Sequence, residues 1–172
     1  MLFEDPLWWN KKCAHMSVFD KMRSWVLRVS SGFVERVVRR TVEMLTADNV
    51  QQAMLCACFM TGAVVEGFAV APCYEHGMRG CHRWVVEFAH RPDDMRRFTE
   101  LLDECMRSLS RAYNAMRAGI ISAPKVEQVP RATFHRWQQS GRWDAVPCIM
   151  GDKQFVEALL MFAREEAEFR KK

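Results

Sequence analysis

A nearly uncharged run of nineteen residues, 53–71, has the sequence AMLCACFMTGAVVEGFAVA and limits the folds open to this chain. Glu66 is the only charged residue in the run. A run of this length and polarity predicts either a central helix buried among amphipathic helices or a single membrane span. Small residues spaced by four, such as Ala63, Gly67 and Ala71, would let neighbouring helices approach closely in either case. Both interpretations make residues 53–71 helical.

A second long pattern predicts a helix over residues 94–118. Its apolar positions alternate steps of three and four, as in a heptad seam, and they are Met95, Phe98, Leu102, Cys105, Leu109, Ala112 and Met116. Such a seam needs a partner helix, from the same chain or from another. We therefore take four of its residues as candidate partner-binding positions: Phe98, Leu102, Leu109 and Met116.

The fold class predicted from these patterns is all-α. The 172 residues contain only 8 Gly and 6 Pro, so long stretches run without helix breakers. We expect an irregular bundle of about six to seven helices around a central apolar helix at about 50–71. Residues 1–172 are expected to form a single helical domain, with residues 1–15 as a docking arm. Trp8 and Trp9 are candidate contacts in that arm, because interfaces favour aromatic side chains.

The stretch PCYEHGMRGCHRW, residues 72–84, places two cysteines and two histidines within ten positions. Zinc prefers four Cys or His ligands in a tetrahedron, so Cys73, His76, Cys81 and His82 form a candidate metal site. Cys81 and His82 are adjacent, however, and neighbouring side chains rarely reach one ion together. The alternative is a loop with a buried cysteine at each end. Apart from this zinc hypothesis, no cofactor is expected.

Cysteine and charge usage indicate a compartment and argue against some partners. Seven irregularly spaced cysteines indicate free thiols in a reducing, intracellular compartment. The first residues, MLFEDPLWWN, lack the basic region of a secretory signal. Mitochondrial or membrane-associated placement stays open. The net charge of +4 comes from interleaved charges, so nucleic acid is not an expected partner.

One part of the chain resembles a known family. The stretches AYNAMRAGI (residues 112–120) and TFHRWQQSGRWDAV (residues 133–146) are similar to a single helix-turn-helix unit of pentatricopeptide repeats. The resemblance, over residues 112–146, implies a helical hairpin from a family whose members are commonly organellar and often bind single-stranded RNA. No RNA-reading residue is carried over from it.

Motifs for catalysis are not evident. The chain has no phosphate-binding glycine loop, no G-x-S-x-G and no H-E-x-x-H sequence. We therefore predict a non-enzymatic helical interaction or scaffold protein, an accessory subunit that binds other protein subunits of a larger intracellular assembly. Two alternatives remain: a single-span membrane accessory subunit of an organellar complex, using residues 53–71, and an RNA-binding protein built like a helical repeat.

Overall fold

The part of the chain that can be described alternates helices with strands. The computed structural model describes Arg36, Arg39 and the ranges 45–74, 80–141, 148–151 and 153–169. All of these residues lie in one compact unit, 34–172. The proposed arm 1–15, with Trp8 and Trp9, lies outside the described residues. The elements in chain order are α1 Ala47–Thr61, β1 Val64–Cys73, β2 Cys81–His90, α2 Met95–Leu109, α3 Arg111–Arg117, β3 Lys125–Val129, α4 Thr133–Gln139 and α5 Gln154–Phe169.

The apolar run 53–71 is divided between a helix and a strand. Helix α1 starts after Thr46, whose hydroxyl accepts a hydrogen bond from the backbone N–H of Asn49 at 3.1 Å. It ends at Gly62, which adopts the left-handed conformation (φ 68°) that favours glycine at a helix end. Strand β1 then begins with Val64 and Val65, whose branched side chains suit a strand. The predicted central helix at about 50–71 is therefore wrong, and so is the predicted membrane span. No helix of the described ranges has the length and apolar character to cross a bilayer.

The three strands form a mixed sheet in the order β1-β2-β3. Strand β1 pairs antiparallel with β2, and β2 pairs parallel with β3. A short bridge extends the β1 edge: the N–H of Val70 donates to the carbonyl of Cys148, and the N–H of Met150 donates to that of Val70, both at 2.8 Å. The all-α prediction is wrong because residues 81–90 form the central strand of this sheet.

Helices cover both faces of the sheet. On one face, Val70, Trp84 and Val86 belong to a core that also contains residues of α1, α2 and α3. On the other face, Ala71 and Val85 belong to a core that contains residues of α4 and α5. A strand that is buried on both faces does not alternate apolar with polar residues. This explains why residues 81–90 show no strand period in the sequence.

Helix α2 begins near its predicted start and ends earlier than predicted. The carboxylate of Asp94 accepts hydrogen bonds from the backbone N–H groups of Arg96 (2.8 Å) and Arg97 (3.0 Å), which caps the first turn. The helix stops at Leu109, because Ser110 takes an extended conformation and caps α3 by accepting from the N–H of Tyr113 at 3.2 Å. The predicted helix 94–118 is thus two helices.

A disulfide joins α1 to α2. It connects Cys56 with Cys105, whose Cα atoms are 6.7 Å apart. The expectation that all cysteines are free is therefore wrong for these two. Among the described residues, the free cysteines are Cys58, Cys73, Cys81 and Cys148.

Candidate functional site

A buried carboxylate links the central strand to helix α4. Glu87 lies on β2 and is 3% exposed. Its carboxylate accepts hydrogen bonds from the backbone N–H groups of Phe134, at 3.0 Å, and of Ala132. Ala132 stands at the N-cap position of α4 and has no capping side chain of its own. Glu87 therefore satisfies amides that would otherwise lack partners at this helix start.

Glu66 lies next to this carboxylate on the neighbouring strand. The pairing of β1 with β2 shifts between Val65 and Gly67, which places Glu66 in an irregularity of the ladder. Its Oε1 atom is 2.7 Å from Nη2 of Arg131. This hydrogen bond is the main reason why the pKa of Glu66 lies below its ordinary value, and it outweighs the opposing effect of burial.

The two carboxylates line an open pocket of about 450 Å³. Its wall consists of Glu66, Gly67, Phe68, Glu87, Ala132, Phe134, His135 and Gln138. Gly67 allows β1 and α4 to approach each other closely, because a Cβ atom at this position would lie 3.1 Å from Cδ2 of Phe134. The pocket combines carboxylates, an imidazole and aromatic rings. These groups can accept hydrogen bonds, attract a cation and take up a proton.

A second polar cluster joins α2, which carries Asp103, to α3, which carries Tyr113 and Arg117. Asp103 is 8% exposed, and its carboxylate binds Arg117 through two hydrogen bonds of 2.8 Å and accepts a third from the hydroxyl of Tyr113 at 2.6 Å. Burial opposes ionisation of Asp103, but the hydrogen bonds from Arg117 and Tyr113 outweigh it, and the pKa of Asp103 lies below its ordinary value. Arg117 also donates to the carbonyl of Ile121 at 3.1 Å. The cluster thus fixes the path from α3 towards β3.

His82 of β2 lies beside this cluster, on the same face of the sheet as Tyr113. Its ring lies 5.4 Å from that of Tyr113, centre to centre. Burial lowers the pKa of His82 to about 4, although the charge of Asp103 acts in the opposite direction. His82 is therefore neutral at physiological pH. An uncharged, buried ring of this kind is part of the core.

The structure separates the candidate zinc ligands. Cys73 and Cys81 face each other across the pairing of β1 with β2, and a hydrogen bond with Cys73, together with burial, raises the pKa of Cys81. His82 points to the opposite face of β2, because successive side chains of a strand alternate. His76 lies outside the described residues. Within the described ranges, no group of three or more His, Cys, Asp and Glu side chains could hold a metal ion.

The candidate partner-binding residues mostly lie inside the protein. Phe98 and Leu102 are 0% exposed and belong to the core between the helices and the sheet. Met116 packs against that core, while Leu109 is 37% exposed. The apolar heptad positions of α2 therefore pack within this chain, mainly against the sheet and α1.

Glu66 and Glu87 are site residues that were not predicted from the sequence. The available signal was an isolated carboxylate within an otherwise apolar segment, which applies to Glu66 in the run 53–71 and to Glu87 in WVVEFA. A carboxylate in such a position usually has a specific partner. Its partners, the amides of α4 and Arg131, are distant in sequence and become visible only in the fold.

Comparison with known proteins agrees with a mixed helix-and-strand domain. Residues 48–143 match the model of the GH3 family C-terminal domain. The match covers more than half of the chain, and it contains all three strands and helices α2, α3 and α4. The chain therefore belongs to the GH3 family through this domain. No curated protein matches the sequence at a significant level.

Solved structures of two related proteins are similar in part. A GH3.15 acyl acid amido synthetase is 13% identical, with a TM-score of 0.49 over 69% of this chain and 23% of its own. AtGH3.15 acyl acid amido synthetase in complex with 2,4-DB is also 13% identical, with a TM-score of 0.41 over 55% of this chain and 18% of its own. This chain thus spans about a quarter or less of the length of either synthetase.

The family overturns several sequence-based interpretations. The pentatricopeptide resemblance is wrong, because strand β3, Lys125–Val129, lies between the two segments that were expected to form one helical hairpin. The RNA-binding alternative fails with it. The interpretation as a non-enzymatic helical scaffold or accessory subunit is also wrong, because residues 48–143 match the GH3 family C-terminal domain.

Proposed function

We propose that this chain acts as the C-terminal-domain part of an enzyme that joins an acyl acid to an amine. The observation that carries the proposal is the family match over residues 48–143. The names of the two solved synthetases suggest the reaction class.

Amide formation from a free carboxylate and an amine needs an activated acid. A synthetase obtains the activation from a nucleoside triphosphate, ATP in the simplest case. This chain spans 23% of the first synthetase, so the proposal assigns the activation step to further residues, on the same polypeptide or on a partner. The partner of this domain is then an acyl-activating domain.

The pocket beside Glu66 has features that suit the amine. A protonated amine would be attracted by the carboxylate of Glu66, which stays ionised because its pKa is lowered. His135 lines the same pocket and is exposed, so its imidazole could accept the proton that an amine must lose before it attacks. Arg131 forms an ion pair with Glu66 next to the pocket, and its guanidinium could bind an acidic group of an amino acid.

The experiment uses the tagged full chain purified from its own cells together with the proteins that accompany it. The preparation is incubated with ATP, a panel of carboxylic acids and a panel of amino acids, and amide products are detected by mass spectrometry. We expect at least one amide that depends on both ATP and the chain. A preparation that forms none from the whole panel would contradict the proposal.

Two matched variants test the role of the pocket. Glu66→Gln should raise KM for the amine about tenfold or more and leave KM for the acid unchanged, because it removes one charge from the amine's surroundings. Glu104→Gln is the control, since Glu104 also forms an exposed ion pair, with Arg97 at 3.5 Å, but lies on α2 away from the pocket. Equal effects of both variants would remove the pocket from the proposal.

A further inference from the structure

The end of the β1–β2 hairpin brings two cysteines together. Cys73 is the last residue of β1, Cys81 is the first residue of β2, and the two are direct partners in the antiparallel ladder. Directly opposed residues in such a ladder have Cα atoms about 4.5 or 5.5 Å apart. Both distances fall in the range that a disulfide requires.

The pair has the features of a dithiol rather than of two unrelated core residues. Cys73 and Cys81 are opposed in the ladder, and a hydrogen bond with Cys73 has the largest influence on the pKa of Cys81, so the two side chains lie close together. The hydrogen bond with Cys73 and burial raise the pKa of Cys81 and keep it a thiol, although the positive charges of Lys125 and Arg83 act in the opposite direction. The pair Cys56–Cys105, with a Cα distance of 6.7 Å, forms a disulfide in the same domain.

We propose that Cys73 and Cys81 form a reversible dithiol–disulfide site that is oxidised by small disulfides of the glutathione type. Cys73 is the attacking sulfur, because the hydrogen bond with Cys73 and burial raise the pKa of Cys81 and keep Cys81 a thiol. Closing the bond would tie β1 to β2 at the start of the loop that connects them. The modification is independent of the proposed amide-forming activity.

The reaction balances without any other oxidant. The thiolate of Cys73 attacks one sulfur of glutathione disulfide, which forms a mixed disulfide and releases one glutathione thiolate. Cys81 then attacks the sulfur of Cys73 and releases the second glutathione. The two protons of the cysteines go to the two leaving thiolates. Overall, two protein thiols are oxidised to one disulfide, and one glutathione disulfide is reduced to two glutathione thiols.

Burial determines how the reaction should be measured. Cys73 and Cys81 are 5% and 3% exposed, so oxidation requires a local opening and should be slower than that of the half-buried Cys58. The site should therefore be tested at equilibrium. Cys58 and Cys148 serve as internal controls, because they should form only mixed disulfides with glutathione.

The full chain is equilibrated in glutathione buffers of increasing oxidised fraction, alkylated in acid and mapped by mass spectrometry without reduction. Trypsin separates the two cysteines because Arg79 lies between them, and chymotrypsin separates Cys73 from Cys56 and Cys58 because Phe59 and Phe68 lie between. We expect a cross-linked Cys73–Cys81 peptide, the loss of two alkylatable thiols, and full reversal by dithiothreitol.

Variants and metal analysis decide between the outcomes. In Cys73→Ser, Cys81 should remain a thiol or carry glutathione, and in Cys81→Ser, Cys73 should accumulate the mixed disulfide. Stable glutathione adducts on both cysteines of the wild-type chain would overturn the proposal. So would thiols that stay reduced in every buffer, or one bound zinc per chain that is lost in Cys73→Ser. The wild-type map gives a result even if a variant does not fold.

Discussion

The carboxylate of Glu87 lies 3.0 Å from the backbone N–H of Phe134, although the two residues are 47 positions apart in sequence. This contact attaches α4 to the central strand of the sheet. It also forms the inner wall of the pocket, because both residues line it. The packing of α4 and the shape of the pocket therefore depend on one buried side chain.

Glu87→Gln tests this contact. The glutamine keeps one oxygen acceptor but turns an NH₂ donor towards a second N–H group. We expect the free energy of unfolding to fall by about 2 kcal/mol, the cost of an unsatisfied buried group, as measured by urea denaturation. Glu104→Gln, on the exposed surface of α2, should change it by less than about 0.5 kcal/mol. Equal effects would show that Glu87 does not hold α4.

Gly67→Ala tests the narrow approach between β1 and α4. The added Cβ would lie 3.1 Å from Phe134, so the ring must move, at a cost of about 1 kcal/mol. In the double variant with Phe134→Leu, the cost of the alanine should disappear, which a double-mutant cycle measures. Gly119→Ala is the control, since nothing lies within 4 Å of its added Cβ. A cost for Gly67→Ala that persists without the Phe134 ring would contradict this packing.

Asp103→Asn should strongly destabilise the protein. The variant keeps the shape of the side chain but leaves the charge of Arg117, which is 18% exposed, without its carboxylate. We expect a loss of about 3 kcal/mol, measured by thermal and urea unfolding. The exposed pair of Arg97 and Glu104 should contribute less than about 1 kcal/mol when Glu104 is neutralised. Similar losses at both sites would contradict the burial of the Asp103 cluster.

The stability of the domain should fall in mild acid. The pKa of His82 is about 4 in the folded protein and about 6.5 when unfolded. Between these values the unfolded chain binds a proton that the folded chain does not, so stability is full above about pH 6.5 and declines towards pH 4. The decline is on the order of 3 kcal/mol. Urea midpoints at several pH values measure it, and His82→Phe should flatten the curve in this window. An unchanged slope in that variant would assign the effect to other groups.

Leu102 and Leu109 are both heptad positions of α2, but they differ in burial. Leu102 is 0% exposed and Leu109 is 37% exposed. Leu102→Ala should cost about 3 kcal/mol of stability, because it leaves a cavity against the sheet, and Leu109→Ala about 1 kcal/mol or less. Chemical denaturation of the two variants gives both values. Costs in the reverse order would contradict the burial of Leu102 in the core.

The sequence indicated local features better than the fold. The cap at Asp94 and the heptad positions of α2 are local, so the sequence places that helix well. The run 53–71 was misread because its composition is apolar throughout, and only the left-handed turn at Gly62 divides it. Strand β2 was missed because it is buried on both faces. The parallel pairing of β2 with β3 joins residues more than thirty positions apart, such as Val85 and Glu127, and no local pattern indicates it.

The candidate site shows the same limit. Glu66 and Glu87 stand out as isolated carboxylates, but their partners Arg131 and Phe134 are 65 and 47 residues away. The Cys/His stretch 72–84 suggests a metal loop only because its residues are close in sequence. In the fold, alternation along β2 separates Cys81 from His82, while pairing across the sheet joins Cys81 to Cys73.

Amide formation in extracts of cells that lack this chain is the decisive test of the proposed enzyme. Extracts from deleted and parental cells are supplied with ATP and the same panels of carboxylic acids and amino acids, and the amides are quantified by mass spectrometry. The account predicts that at least one amide is lost on deletion and restored when the purified full chain is added together with its co-purified proteins. Identical amide profiles in the two extracts would contradict the assignment to an amide-forming enzyme.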